Sequence, residues 1–208
     1  MSARALALAV ALLAFVIPSA ARADGDPASD YLLSQALFNP PDSGVPPAYA
    51  TQLTSVIQNA KLGGYEIRVA LIATRYDMGS VPILFNEPER YARFLGKELY
   101  FLYKGRVLVV MPKGLGFAIG GEKNAAGQAI VSSIPPPRSS AVAMATGAER
   151  AVVRLAAQKG VVVAVPQLHG NAHVDNQNRD RLLIALVVVA ALALFGGYTV
   201  LRRRRVAT

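Results

Sequence analysis

The sequence predicts an α/β fold: a three-layer sandwich around a small mixed, mostly parallel central sheet, followed by one C-terminal transmembrane helix. Three observations lead there. Two β-rich apolar runs, Tyr65 to Ala73 and Arg106 to Met111, flank a stretch of helical spacing, the pattern of buried parallel strands joined by a crossover. Further stretches of helical spacing, from Ala48 and from Ala141, supply covering layers. Finally, Leu182 to Leu201 runs for 20 residues without a charge, about 30 Å of helix and the thickness of a bilayer core.

Taken in order, residues 1–23 have the layout of a secretory signal: Arg4, an apolar run broken by Pro18, and Ala21-Arg22-Ala23, with cleavage expected after Ala23. Residues 24–47 hold Pro27, Pro40, Pro41, Pro46 and Pro47, too many fixed φ angles for a long helix or a central strand. Asp30-Tyr31-Leu32-Leu33 is expected to dock as a short extended piece. Residues 48–165 form the predicted domain. Leu53, Val56, Ile57 and Ala60 mark one apolar helical face that Gly63-Gly64 stops.

The first buried strand follows, then a turn at Tyr76 to Ser80, then a helix from Glu87 to Phe101 with Pro88 in its first turn. Arg106 to Met111 is the clearest strand. Gly114 to Gly121 reads as a turn and a short strand through Phe117-Ala118-Ile119, and Ala129 to Ile134 as a further strand. Pro135-Pro136-Pro137 is a stiff connector, Ala141 to Gln158 a helix ended by Gly160, and Val161 to Val165 a strand or an extended strap. Residues 166–181 are a polar juxtamembrane linker, 182–201 the membrane helix and 202–208 a basic tail. Because Arg202, Arg203, Arg204 and Arg205 favour the cytoplasmic side, the domain is expected outside and the tail inside, a single-pass type I layout.

The formal charge of +9 is concentrated at the ends. Removing Arg4, Arg22 and the Arg202 to Arg205 tail leaves +3 spread over the exported part, with no clustered basic face for phosphates, so nucleic acid is excluded as a partner. The tail suits anionic lipid headgroups. There is no cysteine, which removes disulfides, thiol nucleophiles and thiolate metal sites together.

Gly114-Leu115-Gly116 and Gly120 follow a strand, but Gly120-Gly121 and Gly127 interrupt the helix a dinucleotide loop requires, and Phe117 and Ile119 alternate like a strand; a hairpin accounts for them better. His169 and His173 have metal-ligand spacing, yet Gly170-Asn171 between them breaks the helix, and they read as solvated linker residues. Asp77 lies just past the first central strand, where open parallel sheets place ligands, and Asp30 is the carboxylate expected to approach the same edge. Two carboxylates there suit a divalent cation such as calcium, although an Asp-x-Gly turn explains Asp77 equally well. Asp24, Asp26 and Asp42 read, with Asp30, as a solvated face of the arm.

Asp30 with its apolar pair, the helix through Leu53 and Ile57, the Gly64 to Ile72 strand, the Tyr91 to Leu99 helix, and Gly105 leading into Val107 to Met111 and the Phe117 to Gly120 turn together resemble the TPM domain family. That family is found in thylakoid acid phosphatases, photosystem-repair proteins and many bacterial membrane-anchored proteins. The resemblance covers residues 30–160 and implies an α/β sandwich between a signal peptide and a membrane helix. It departs where chemistry would matter: Lys104 stands where an acidic residue is frequent, and Gly120-Gly121-Glu122-Lys123 replaces a Gly-Tyr-Gly-Leu-Glu type segment. No catalytic set is therefore carried over. The sequence favours a non-enzymatic binding module of a bacterial envelope, held by the lipid bilayer and engaging an envelope protein partner. The alternative is a membrane-tethered, divalent-cation-dependent phosphoester hydrolase.

Overall fold

The computed structural model describes residues 25–168. The signal with its cleavage site at Ala23, the two histidines, the apolar run bounded by Leu182 and Leu201 and the arginine tail lie outside the described residues.

The chain opens with α1 (Pro27–Ser34). Asp26 caps it, its side chain accepting from the Ala28 amide, and Pro27 supplies a preset φ at the first helical position. This corrects the extended piece expected at Asp30 to Leu33: an Asp-Pro start is a helix signal, and one turn later Leu32 is fully buried. After β1 (Leu37–Phe38), α2 (Pro47–Leu62) buries Leu53, Val56, Ile57 and Ala60, the four positions its spacing predicts. The strand β2 (Ile67–Leu71) leads into a 3-10 turn (Arg75–Met78), then α3 (Pro88–Glu98) and β3 (Arg106–Met111). The predicted hairpin follows as β4 (Gly114–Ile119), with a short β5 (Glu122–Lys123).

Two helices complete the described residues, α4 (Ala125–Ser132) and α5 (Ala141–Ala157). The first replaces the strand expected at Ala129 to Ile134. Asn124 caps it by accepting from the Gly127 amide at 2.7 Å, and an Ala-rich first turn has no need of a ladder. Residues 161–168 run as an extended strap along α2, with the Asn59 side chain donating to the Ala164 carbonyl (2.9 Å) and Gln52 to that of Pro166 (2.8 Å).

The five strands lie in chain order, β1-β2-β3-β4-β5. β1, β2 and β3 are parallel, while β3-β4 and β4-β5 are antiparallel, so the sheet is mixed in equal measure rather than mostly parallel. Alternate residues of β2 and β3 enter two separate cores. Ile67, Val69, Leu71, Leu108 and Val110 pack with α2 and α5 on one face; Ala70, Val107, Val109 and Met111 pack with α1 and α3 on the other. Three layers result, as predicted. Both parallel connections step the same way across the sheet with their helices on opposite faces, so only one of the two crossovers is right-handed.

The glycines of the hairpin have a packing role. A Cβ on Gly116 would overlap the Pro88 carbonyl, and one on Gly96 would overlap the backbone of Gly121. Helix α3 therefore lies on β4 and the turn after it at a distance only glycine permits.

Candidate functional site

Strand β2 ends at Leu71, and the chain turns at once through Ala73 and Thr74. Asp77 makes that turn. Its Oδ2 accepts from the Ala73 and Thr74 amides, each at 2.8 Å, and the residue is 6 % exposed. A carboxylate so committed is turn chemistry: it reaches back to the amide of Thr74, the residue that starts the 3-10 turn, as the third helical residue of a capping box does. Asp30 sits on the exposed face of α1.

A second carboxylate buried at this end of the sheet is Asp26, which is 4 % exposed rather than solvated. Its Oδ1 accepts from the Tyr91 hydroxyl at 2.6 Å and from the Ala28 amide at 3.4 Å, while Oδ2 is buried with no partner among the described residues. Burial pushes the Asp26 carboxyl up to about 6; the Tyr91 hydroxyl and the Ala28 and Ser29 amides pull the other way, and the charge of Asp30 adds to the rise. Tyr91, fully buried on α3, is held well above the ordinary phenol range by burial and by the negative charges of Asp26 and Asp77. The pair joins the first helix to the third across 65 positions of sequence. Since Tyr91 is closed to solvent, the pair is a structural tie between two helices of the same layer.

The Asp26 signal was present in the sequence as Asp-Pro before an apolar turn, and the hydroxyl of Tyr91 gives that cap a second function. Among the described residues no group of three or more His, Asp or Glu side chains is placed to hold a metal ion.

A second feature lies at the β1 edge of the sheet. Between β1 and α2 runs a groove of about 290 Å³, with Gln35, Leu37 and Asn39 on one wall and Thr54, Ile57 and Gln58 on the other. The Val69 amide donates to the Ala36 carbonyl at 2.8 Å, and Leu37 is the register partner of Val69. In a parallel ladder of that register the amide and carbonyl of Leu37 point away from β2. They face the free edge of the sheet. Behind them Phe38 is buried and meets Tyr31 edge-on, centroids 5.8 Å apart, which holds the edge strand against α1.

Comparison with protein-family models, with curated proteins and with solved structures returned no match. Among the described residues no helix is long and apolar enough to cross a membrane.

Proposed function

We propose that this chain is an envelope interaction module: a TPM-like domain, exported by the segment ending at Ala23 and tethered by the apolar run 182–201, that takes up an extended segment of a partner protein along β1. The observation that carries the reading is the free edge of β1 above the groove. An added strand would meet the Leu37 peptide groups with its backbone and place alternate side chains against Ile57 and Thr54. The amide side chains of Gln35, Asn39 and Gln58 around it suit main-chain groups of a visiting strand and impose no charge requirement.

The test is site-specific photo-crosslinking in intact membranes. A photoreactive residue at position 58, in the groove, should capture a discrete partner, whereas one at position 157, exposed on α5, should not. Equal labelling from the two positions would overturn the reading.

The hydrolase alternative has one observation in its favour, the unpartnered Oδ2 of Asp26 in the neighbourhood of Asp30 and Asp77. Calorimetric titration with calcium, magnesium and manganese, alongside a phosphoester assay, separates the two. Saturable binding and turnover that both disappear in Asp77→Ala while its fold stays intact support the hydrolase.

A further inference from the structure

At the end of the domain where β2 and β3 begin, several large apolar side chains stand in solvent. Helix α3 finishes in the turn Tyr100-Phe101-Leu102, whose side chains are 49 %, 72 % and 68 % exposed. This is a firmly built turn. The Leu102 and Tyr103 amides both donate to the Leu99 carbonyl, at 3.0 and 2.7 Å, and Leu99 and Tyr103 on either side are buried. Tyr103 is locked further: its hydroxyl accepts from the Arg106 amide (2.9 Å), and the Arg68 guanidinium lies over its ring at 4.4 Å. The apolar triplet is thus held outward by anchored neighbours. Leu62, the last residue of α2, and Val162, at the start of the strap, are exposed at the same end, because α2 runs against β2 and Gly63 abuts Val161.

Charge decides what such a surface fits. Lys97, Lys104 and Lys159 are exposed at this end and form no ion pair among the described residues; Lys104 lies 4.9 Å over the Tyr100 ring. Arg68 and Arg106 add two positive charges, and Lys61 is balanced by Glu66 at 3.3 Å. Glu98 and Glu122 are the opposing carboxylates, so the end is net positive. The other end of the sheet also exposes Tyr76 and Ile83, but there Asp26, Asp30, Asp77 and Glu87 offset Arg75, Arg90, Lys113 and Arg138, with Arg90 paired to Glu87, so that end has no net positive charge. Aromatic and aliphatic side chains rimmed by lysine are the composition that settles at a headgroup interface, the rings entering it and the ammonium groups reaching anionic lipid.

We propose that the domain rests on an anionic membrane surface through the Tyr100-Phe101-Leu102 turn, with Leu62, Val162 and the surrounding lysines completing the contact. The proposal goes beyond partner capture at β1 and relies on the same anchor. The strap leads away from this end, but the tether is long enough to permit the contact. Gln52 holds the strap at Pro166, ten residues from Leu62 along α2, or about 15 Å. Residues 169–181 extend to about 45 Å at most, ample to bring this end onto the bilayer that the apolar run would enter.

The chain contains no tryptophan, so Phe101→Trp and Ile83→Trp each give a full-length protein with a single reporter. Each is reconstituted into vesicles of phosphatidylglycerol and dibrominated phosphatidylcholine, with flotation and iodide quenching on the same samples. At position 101 the lipid bromines should reduce emission about twofold and iodide should have little access; at position 83 the reverse should hold. Replacing phosphatidylglycerol by zwitterionic lipid, or combining Lys97→Gln with Lys104→Gln, should weaken the quenching at position 101. A chain that floats with the vesicles while position 101 is as open to iodide as position 83 overturns the proposal and leaves the anchor standing. Shielding from iodide without quenching by lipid also overturns it, because protein then covers the turn. A chain that fails to float removes the anchor and the proposal together.

Discussion

Replacing Asp26 by Asn gives a quantitative test of the buried tie. Asp26 is 4 % exposed, and its carboxyl is pushed from 3.8 up to about 6. The folded protein therefore binds this proton more tightly than the unfolded chain does. The stability contributed by that tighter binding is complete below about pH 4 and is lost as pH rises through about 6. A difference of about two pKa units corresponds to about 3 kcal/mol, an order-of-magnitude figure. Asn in place of Asp still offers Tyr91 an acceptor but cannot ionise. The stability of Asp26→Asn minus that of the parent should accordingly climb by about 3 kcal/mol between pH 4 and pH 7, at about 1.4 kcal/mol per pH unit, and then level off. Urea unfolding of residues 24–168, followed by far-ultraviolet circular dichroism at several pH values, measures it. The other carboxylates titrate in both proteins and cancel. A difference that stays flat across this range, or one that falls, would refute the burial argument.

Three further outcomes follow from packing. Gly116→Ala should cost about 3 kcal/mol or more, because its Cβ would meet the Pro88 backbone and force α3 off β4; urea midpoints at constant slope report it. Gly147→Ala, inside α5 with its nearest new neighbour 4.0 Å away at Pro137, should instead stabilise by about 0.5–1 kcal/mol in the same assay. Gln52→Ala with Asn59→Ala should loosen the strap beyond the buried Val163 at a cost of about 1 kcal/mol for each hydrogen bond, seen as faster proteolysis between residues 164 and 168 with the helical signal retained.

Much of the layer plan was legible because its signals are local. The buried face of α2, the hairpin from Gly114 and the parallel pairing of β2 with β3 all follow from spacing and residue type within a few positions. The failures have a common physical origin. Proline density in residues 24–47 argues against regular structure, yet one Pro at the first turn of α1 favours it. Ala129 to Ile134 contains β-formers, but the Asn124 cap upstream had already set the segment helical. Asp26 reads as a surface charge because nothing near it in sequence names Tyr91 as its partner. Asp77, in contrast, sits where expected at the end of β2, and its role as a turn former was one of the two alternatives its neighbours allowed. The groove at β1 had no sequence signature, because it is formed by the space between two elements rather than by either alone.

The tie between Asp26 and Tyr91 also bears on the order in which the domain can assemble. Apart from the contact of Tyr31 with Phe38, the partners that hold α1 and β1 come later in the chain: β2 for the edge strand, Tyr91 for the helix cap. A chain that emerges N-terminus first thus exposes this segment before anything exists to receive it. Its burial waits until α3 has arrived, so the domain closes last on the part made first. Two short elements followed at once by Pro40 and Pro41 are well suited to that delay, since an eight-residue helix and a two-residue strand are too short to be stable before β2 and α3 arrive.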